Sequence, residues 1–146
     1  MAMALDSNFL LRYVQREHPL HEIARDAARH FVSTGEELVL LPQVITEFWC
    51  VATRPASARG GFGLTPVQAD HQVRLLERIF TIRHDTPAVY DTWRQIVVFY
   101  SVSGVQTYDA RIAAALQVHS IDQLLTFNGT DFARYDWLTA VDPEAY

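Results

Sequence analysis

The sequence predicts a three-layer α/β/α fold in which helices cover both faces of a mostly parallel central sheet. Short apolar runs alternate with amphipathic helical segments along the whole chain, and parallel sheets with crossover helices produce this pattern. The strongest runs are continuous rather than alternating, which is typical of strands buried on both faces. Five runs are predicted as strands, the last of them at an edge of the sheet: residues 3–5, 38–41, 81–83, 124–127 and 138–141.

Six helices are predicted from capping residues and from apolar residues at helical spacing. The first follows Asp6 and runs to Val14. The others are predicted to begin at a proline or a capping residue, namely Pro19, Pro42, Pro66, Pro87 and Asp109. Gly35 and Gly104 are predicted to end the second and fifth helices, and residues 54–63 are expected to form a loop. With 146 residues and no linker, the chain is predicted to be a single domain, 1–146.

The composition argues against several classes of protein. Apolar residues make up 49% and charged residues 20% of the chain, which is unlike a disordered protein. No apolar stretch approaches the roughly 18 residues of a membrane span, so no membrane association is expected. The single cysteine, Cys50, lies in an apolar helical pattern and is expected to be buried. A lone cysteine is consistent with a cytoplasmic location.

The charge pattern narrows the chemistry. A net charge of −5 argues against a broad basic surface for nucleic acid. All 12 basic residues are arginines. Receiver domains, aspartyl-phosphate phosphatases and Walker-type nucleotide-binding proteins use a lysine, so these three classes are disfavoured. The histidines and the cysteine lack the spacing of a zinc site.

Four acidic residues follow short apolar runs: Asp6, Glu47, Asp109 and Asp131. The carboxyl ends of parallel strands share one edge of a sheet, where open α/β folds bind ligands. Carboxylates brought together there repel one another unless a hard cation holds them. The pattern therefore predicts a magnesium or manganese site and phosphate chemistry. Taken alone, three of the acids also have an ordinary interpretation: Asp6 as a helix cap, Asp109 as a first-turn residue and Asp131 as a turn residue. Glu47 is expected at a partly buried edge, where its carboxylate needs a partner.

The segments around these acids resemble the motifs of one family in order. They read Leu-Asp-Ser-Asn-Phe-Leu-Leu at 5–11, Thr-Glu-Phe-Trp at 46–49, Tyr-Asp-Ala-Arg-Ile-Ala-Ala at 108–114 and Leu-Leu-Thr-Phe-Asn-Gly-Thr-Asp-Phe at 124–132. This series resembles PIN-domain proteins, specifically VapC-type toxin ribonucleases of type II toxin–antitoxin systems, over nearly the whole chain. Two positions depart from the pattern: many relatives have histidine at Tyr108, and others have aspartate at Asn128.

The resemblance implies a PIN-like domain that acts as an endoribonuclease dependent on Mg²⁺ or Mn²⁺. On this interpretation Asp6, Glu47 and Asp109 bind one ion, and Asp131 completes that site or helps to hold a second ion. Metal-activated water would then hydrolyse the RNA phosphodiester bond. Four further residues are candidates for orienting the acids or contacting substrate: Ser7, Asn8, Asn128 and Arg111.

The resemblance also implies partners: an RNA substrate, a cognate antitoxin that blocks the site, and a second copy of the chain in a homodimer. Transfer RNA is a frequent target of the family, but no residue here selects it over ribosomal or messenger RNA. Two alternatives stay open at this stage. One is a catalytically inactive PIN-like binding module that acts through a protein partner, and the other is a metal-dependent DNA nuclease or phosphatase using the same carboxylates.

Overall fold

The structure is a computed structural model that describes residues 1–146. Its five strands are β1 (Ala2–Leu5), β2 (Glu37–Leu40), β3 (Thr81–Ile82), β4 (Gln123–Leu125) and β5 (Thr139–Val141). They form one sheet in the order β3-β2-β1-β4-β5, and every neighbouring pair is parallel. The predicted α/β class with a parallel sheet is confirmed, and β5 lies at an edge as expected.

Six α-helices surround the sheet: α1 (Ser7–Val14), α2 (His21–Ser33), α3 (Pro42–Ala52), α4 (Pro66–Ile79), α5 (Pro87–Phe99) and α6 (Gln106–Val118). Helix α1 packs against α2 and α3, whereas α5 packs mainly against α6. Because parallel crossovers are right-handed, the reversal of strand order after β3 places α5 and α6 on the opposite face from α1 to α4. None of these helices is both long and apolar enough to cross a membrane.

The core lies on both sides of the central strand β1, whose last three residues are fully buried. Phe9 of α1 and Phe48 of α3 are also fully buried. Burying one such side chain stabilises the fold by roughly 1.5–3 kcal/mol. Since Phe9 and Phe48 stand close in sequence to Asp6 and Glu47, the same packing that holds α1 and α3 in place also positions two of the predicted acids.

Two predicted helix boundaries are wrong because local turns override proline and glycine signals. Helix α2 begins at His21, since Pro19 lies in a turn closed by a hydrogen bond from the His21 N–H to the His18 carbonyl, 3.0 Å. Helix α5 ends at Phe99, before Gly104. Ser101 takes the left-handed conformation (φ 54°) there, and the Val102 N–H donates to the Val97 carbonyl at 2.9 Å, which is a Schellman motif.

Three further expectations differ in detail. Helix α6 starts at Gln106, so Asp109 lies within its first turn rather than at its start. The strands predicted at 38–41, 81–83, 124–127 and 138–141 are each shorter or shifted by one or two residues, a common uncertainty at element ends. Cys50 is exposed, not buried, because it lies on the face of α3 that turns away from Phe48 and the core.

Candidate functional site

The topology creates a crevice between β1 and β4. The first three strands lie side by side in chain order, with β1 innermost and β3 at the edge of the sheet. After β3 the chain crosses back over the sheet to form β4 on the other side of β1. In open α/β sheets, ligands bind outside the carboxyl ends of the strands at such a reversal. Leu5 ends β1 beside Leu125 of β4. The next residues, Asp6 and Thr126, therefore stand side by side at this point.

Asp6 is buried, with 5% of its surface exposed, and a set of hydrogen bonds fixes its carboxylate. The Ser7 N–H donates to Oδ1 at 2.8 Å. Oδ2 accepts from the Thr126 hydroxyl at 2.8 Å and from the Asn8 amide at 3.1 Å. Asn8 is oriented in turn by the Phe127 N–H, which donates to its Oδ1 at 2.9 Å. The carboxylate thus has one well-defined position, held by the start of α1 on one side and by the residue after β4 on the other.

Glu47 lies in the second turn of α3 rather than directly at the end of a strand, and its side chain is half-buried. The Ser7 hydroxyl donates to its Oε1 at 3.0 Å, and the Gln43 amide donates to its Oε2 at 3.1 Å. Ser7 therefore contacts both acids, through its backbone N–H to Asp6 and through its hydroxyl to Glu47. This bridge places the two carboxylates next to each other.

Asp109 and Asp131 approach the crevice from other elements. Asp109 is half-buried in the first turn of α6, where the positive end of the helix dipole favours a negative charge. Asp131 is exposed and lies in the short 3-10 helix Gly129–Phe132. We refer to Asp6, Glu47, Asp109 and Asp131 together as the acidic cluster. None of its members forms an ion pair with a basic residue.

The electrostatics of the acidic cluster oppose ionisation. Burial raises the pKa of Asp6 from 3.8 to about 6, and the charge of Glu47 adds to this, although the hydrogen bonds from Thr126, Ser7 and Asn8 act in the opposite direction. The pKa of Asp109 is also raised to about 6, first by desolvation and then by the charges of Asp131, Asp6 and Glu47. Asp109 therefore feels the charges of the other three acids, and Asp6 feels the charge of Glu47.

The donor chemistry of the acidic cluster fits a hard divalent cation, because carboxylate oxygens are the ligands that Mg²⁺ and Mn²⁺ prefer. A cation would also reverse the pKa shifts of Asp6 and Asp109. The side chains are not drawn together into a coordination shell: no group of three or more His, Cys, Asp or Glu residues stands close enough to hold an ion. Mutual repulsion between ionised carboxylates favours such separation.

Arg111 and Asn128 lie at the margins of the acidic cluster. Arg111 is paired with Asp85, Nη2 to Oδ2 3.3 Å, and donates from Nη1 to Gln43 at 3.2 Å. Asn128 is exposed, and its backbone N–H donates to the Thr126 hydroxyl oxygen at 3.0 Å. Neither side chain forms a hydrogen bond or an ion pair with one of the four acids.

Two residues of the site were missed at the level of sequence, Thr126 and Gln43. Thr126 is buried and contacts Asp6, Asn8 and Asn128 through one hydroxyl. Its position directly after an apolar strand was the available signal. Gln43 precedes Glu47 by four residues on α3, and residues at this spacing share one helix face.

Comparison with known proteins shows the family. The model of the PIN domain matches residues 3–138, and the chain therefore belongs to the PIN-domain family. A search of the curated proteins found no match.

Solved structures share the fold at low sequence identity. VapBC2 from Rickettsia felis, bound to a DNA fragment from its promoter, is 12% identical with a TM-score of 0.71, covering 97% of this chain and 98% of that one. VapBC-1 from nontypeable Haemophilus influenzae is 17% identical with a TM-score of 0.71, covering 98% of each chain. Mycobacterium tuberculosis VapC20, a Sarcin-Ricin loop cleaving toxin, is 18% identical with a TM-score of 0.66, covering 95% and 98%.

Proposed function

We propose that this protein is a metal-dependent endoribonuclease and the toxin of a toxin–antitoxin pair. The observation that carries the proposal is the acidic cluster, four carboxylates at the carboxyl edge of a PIN-family sheet with no basic residue paired to them. Such a cluster is electrostatically costly for the folded chain. A functional requirement for a bound cation explains why the chain carries it.

In the proposed mechanism, Asp6, Glu47 and Asp109 would hold Mg²⁺ or Mn²⁺, and Asp131 would complete the site or help with a second ion. The ion would polarise the phosphodiester and lower the pKa of the attacking water. Ser7, Asn8 and Thr126 keep the Asp6 carboxylate oriented through the hydrogen bonds at 2.8–3.1 Å. Ser7 and Gln43 do the same for Glu47. Attack by water would leave a 5′-phosphate and a 3′-hydroxyl.

Similar proteins support the assignment of substrate and partner. VapC20, whose fold this chain shares, is a Sarcin-Ricin loop cleaving toxin, and other structures with this fold are VapBC assemblies. We propose by analogy that the chain cuts RNA in the cytoplasm, is blocked by a cognate antitoxin and forms a homodimer. A dimer would also place arginines of two copies near one substrate, which offsets the net charge of −5.

The decisive experiment is cleavage of total cellular RNA by antitoxin-free protein in Mg²⁺ or Mn²⁺. Asp109→Asn and a chelator serve as negative controls, and Asp91→Asn, which changes an exposed aspartate on α5, is the matched positive control. We expect discrete cuts with the wild type and Asp91→Asn, and none with Asp109→Asn or after chelation. End mapping should find 5′-phosphates.

Other outcomes would point to other functions. Cleavage of duplex DNA or of small phosphate esters, without cleavage of RNA, would contradict the proposal and favour a DNA nuclease or a phosphatase. Metal binding without any hydrolysis of RNA would favour a binding module that acts through its partner. Cuts that survive both Asp109→Asn and the chelator would show that the acidic cluster is not the catalytic site.

A further inference from the structure

A groove of about 470 Å³ opens beside the acidic cluster, between α3 and the start of α6. Glu47 forms part of its wall, so the groove is continuous with the candidate active site. Its other lining residues include Gln43, Thr46, Asp85, Tyr108 and Arg111. We call it the Tyr108 groove. None of the residues proposed to hold the metal, other than Glu47, contributes to its wall.

Tyr108 presents an unusual surface for an aromatic residue. Its side chain is among the large apolar side chains that face solvent, with 65% of the residue exposed, and its hydroxyl has no hydrogen-bond partner within the chain. It directly precedes Asp109 on α6. An aromatic ring at this place offers a flat face to a group that lies next to the acidic cluster.

Arg111 lines the same groove from three residues further along α6, a spacing that places both side chains on one helix face. Its side chain is 40% exposed, and it uses Nη2 for Asp85 and Nη1 for Gln43. A guanidinium has five N–H donors. Three of these donors therefore have no hydrogen-bond partner within the chain. Arginine binds phosphate well in a bidentate manner.

Gln43 joins the groove to the active site. Its amide N–H₂ donates to Glu47 at 3.1 Å and to the Tyr108 carbonyl at 2.8 Å, and its Oε1 accepts from Arg111 at 3.2 Å. These partners determine the orientation of the amide, because a carboxylate and a carbonyl only accept and a guanidinium only donates. One side chain thus links a metal-binding candidate, the backbone that carries the Tyr108 ring, and the Arg111 guanidinium.

We propose that the Tyr108 groove binds one unpaired nucleotide of the RNA, adjacent to the phosphate that is cut. The base stacks on the Tyr108 ring, and Arg111 contacts a flanking phosphate. Unpaired bases stacked on aromatic rings, with arginine on the backbone, are the usual elements of single-strand recognition. The inference rests on the proposed ribonuclease function and makes Tyr108 and Arg111 its determinants of substrate choice.

The test is binding of a short, unstructured, fluorescein-labelled RNA, followed by anisotropy across a salt series in Ca²⁺ in place of Mg²⁺. Tyr108→Ala should weaken binding about 5- to 150-fold, the range for loss of one base stack. Tyr108→Phe should retain the affinity. The logarithm of the association constant falls as the logarithm of the salt concentration rises. Arg111→Gln should make this slope shallower by about 0.7, the contribution of one phosphate contact on a single strand. The slope should not change in Tyr108→Ala.

Matched controls are Tyr90→Ala and Arg74→Gln, an exposed tyrosine and an arginine paired with Asp70, neither of which lines the groove. Both should bind RNA as the wild type does. Wild-type affinity in Tyr108→Ala, or an unchanged slope in Arg111→Gln, would overturn the proposal. So would weakened antitoxin binding with unchanged RNA affinity, which would assign the groove to a protein partner.

A parallel cleavage assay separates this inference from the proposed function. If the wild type cuts cellular RNA while Tyr108→Ala binds and cuts it equally well, the groove is not a nucleotide site and the ribonuclease assignment stands. If the wild type neither binds nor cuts RNA, both fail. Selective loss of cuts at a subset of positions in Tyr108→Ala would support the groove as a determinant of cleavage sequence.

Discussion

The buried carboxylate of Asp6 makes the stability of the metal-free protein depend on pH. The pKa of Asp6 is about 6 in the folded protein against an ordinary value of 3.8, so folding favours the protonated form. The contribution of Asp6 to the free energy of unfolding is fully present below about pH 4, where its carboxyl group is protonated, and is lost as the pH rises through 6. At about 1.4 kcal/mol per pKa unit, the total loss is about 3 kcal/mol.

Asp6→Asn isolates this effect. The amide removes the titration but also exchanges Oδ2 for an N–H₂ group that faces the Asn8 amide and the Thr126 hydroxyl. That change in hydrogen bonding lowers the free energy of unfolding by an amount that does not depend on pH. The difference in unfolding free energy, Asp6→Asn minus wild type, should therefore rise by about 1.4 kcal/mol between about pH 5 and pH 7.5, whatever its absolute sign.

Urea unfolding in the presence of a chelator measures this difference at each pH. Asp91→Asn, at an exposed position on α5, is the control and should differ from the wild type by a constant amount. A difference between Asp6→Asn and wild type that stays flat from about pH 5 to pH 7.5 would refute the reasoning. It would mean that the hydrogen bonds from Thr126, Ser7 and Asn8 fully offset the cost of burying the charge.

Three further predictions concern the same region. Tyr135→Phe should raise the free energy of unfolding by about 1 kcal/mol, because the buried Tyr135 hydroxyl has no hydrogen-bond partner; a loss of stability in urea melts would show that it has one. Thr126→Val should destabilise the protein by about 1–3 kcal/mol, and by less at pH 5 than at pH 7.5, because the Thr126 hydroxyl stabilises ionised Asp6. Thr126→Ser, which keeps the hydroxyl, is the control. Equal losses of stability in both variants would contradict this reasoning. Mg²⁺ or Mn²⁺ should raise the melting temperature of the wild type, and Asp109→Asn should reduce the increase; an unchanged increase would remove Asp109 from the metal site.

The central part of the sheet was predictable because β1, β2 and β4 lie in continuous apolar runs, the pattern of strands buried on both faces. The predicted class and the parallel pairing are both confirmed. Helix ends were less predictable. Pro19 and Gly104 carry the usual start and stop signals, but the turn at His18–His21 and the left-handed Ser101 decide the actual ends. These depend on which carbonyl each N–H reaches, and local residue type does not determine that.

The acidic cluster was predictable only in outline. Asp6 follows a strand and was expected at the sheet edge, whereas Glu47 reaches the same region from the second turn of a helix. The residues that orient both acids were harder to find. Gln43 and Thr126 are ordinary polar residues in isolation, and they acquire a role only because β4 pairs with β1 and α6 lies beside α3. Such roles depend on tertiary contacts between distant segments.

The hydrogen bond between Thr126 and Asp6 spans 120 positions of the chain. During synthesis, the segment with Asp6 leaves the ribosome long before the strand that completes its surroundings. Long-range pairing of this kind also forms late in folding, since loop closure must precede it. The two ends of the acidic cluster, Asp6 and Asp131, therefore meet only when nearly all of the chain has emerged and folded. A nascent or prematurely terminated chain has no complete site, so whatever chemistry this edge of the sheet performs begins only after translation has passed residue 131.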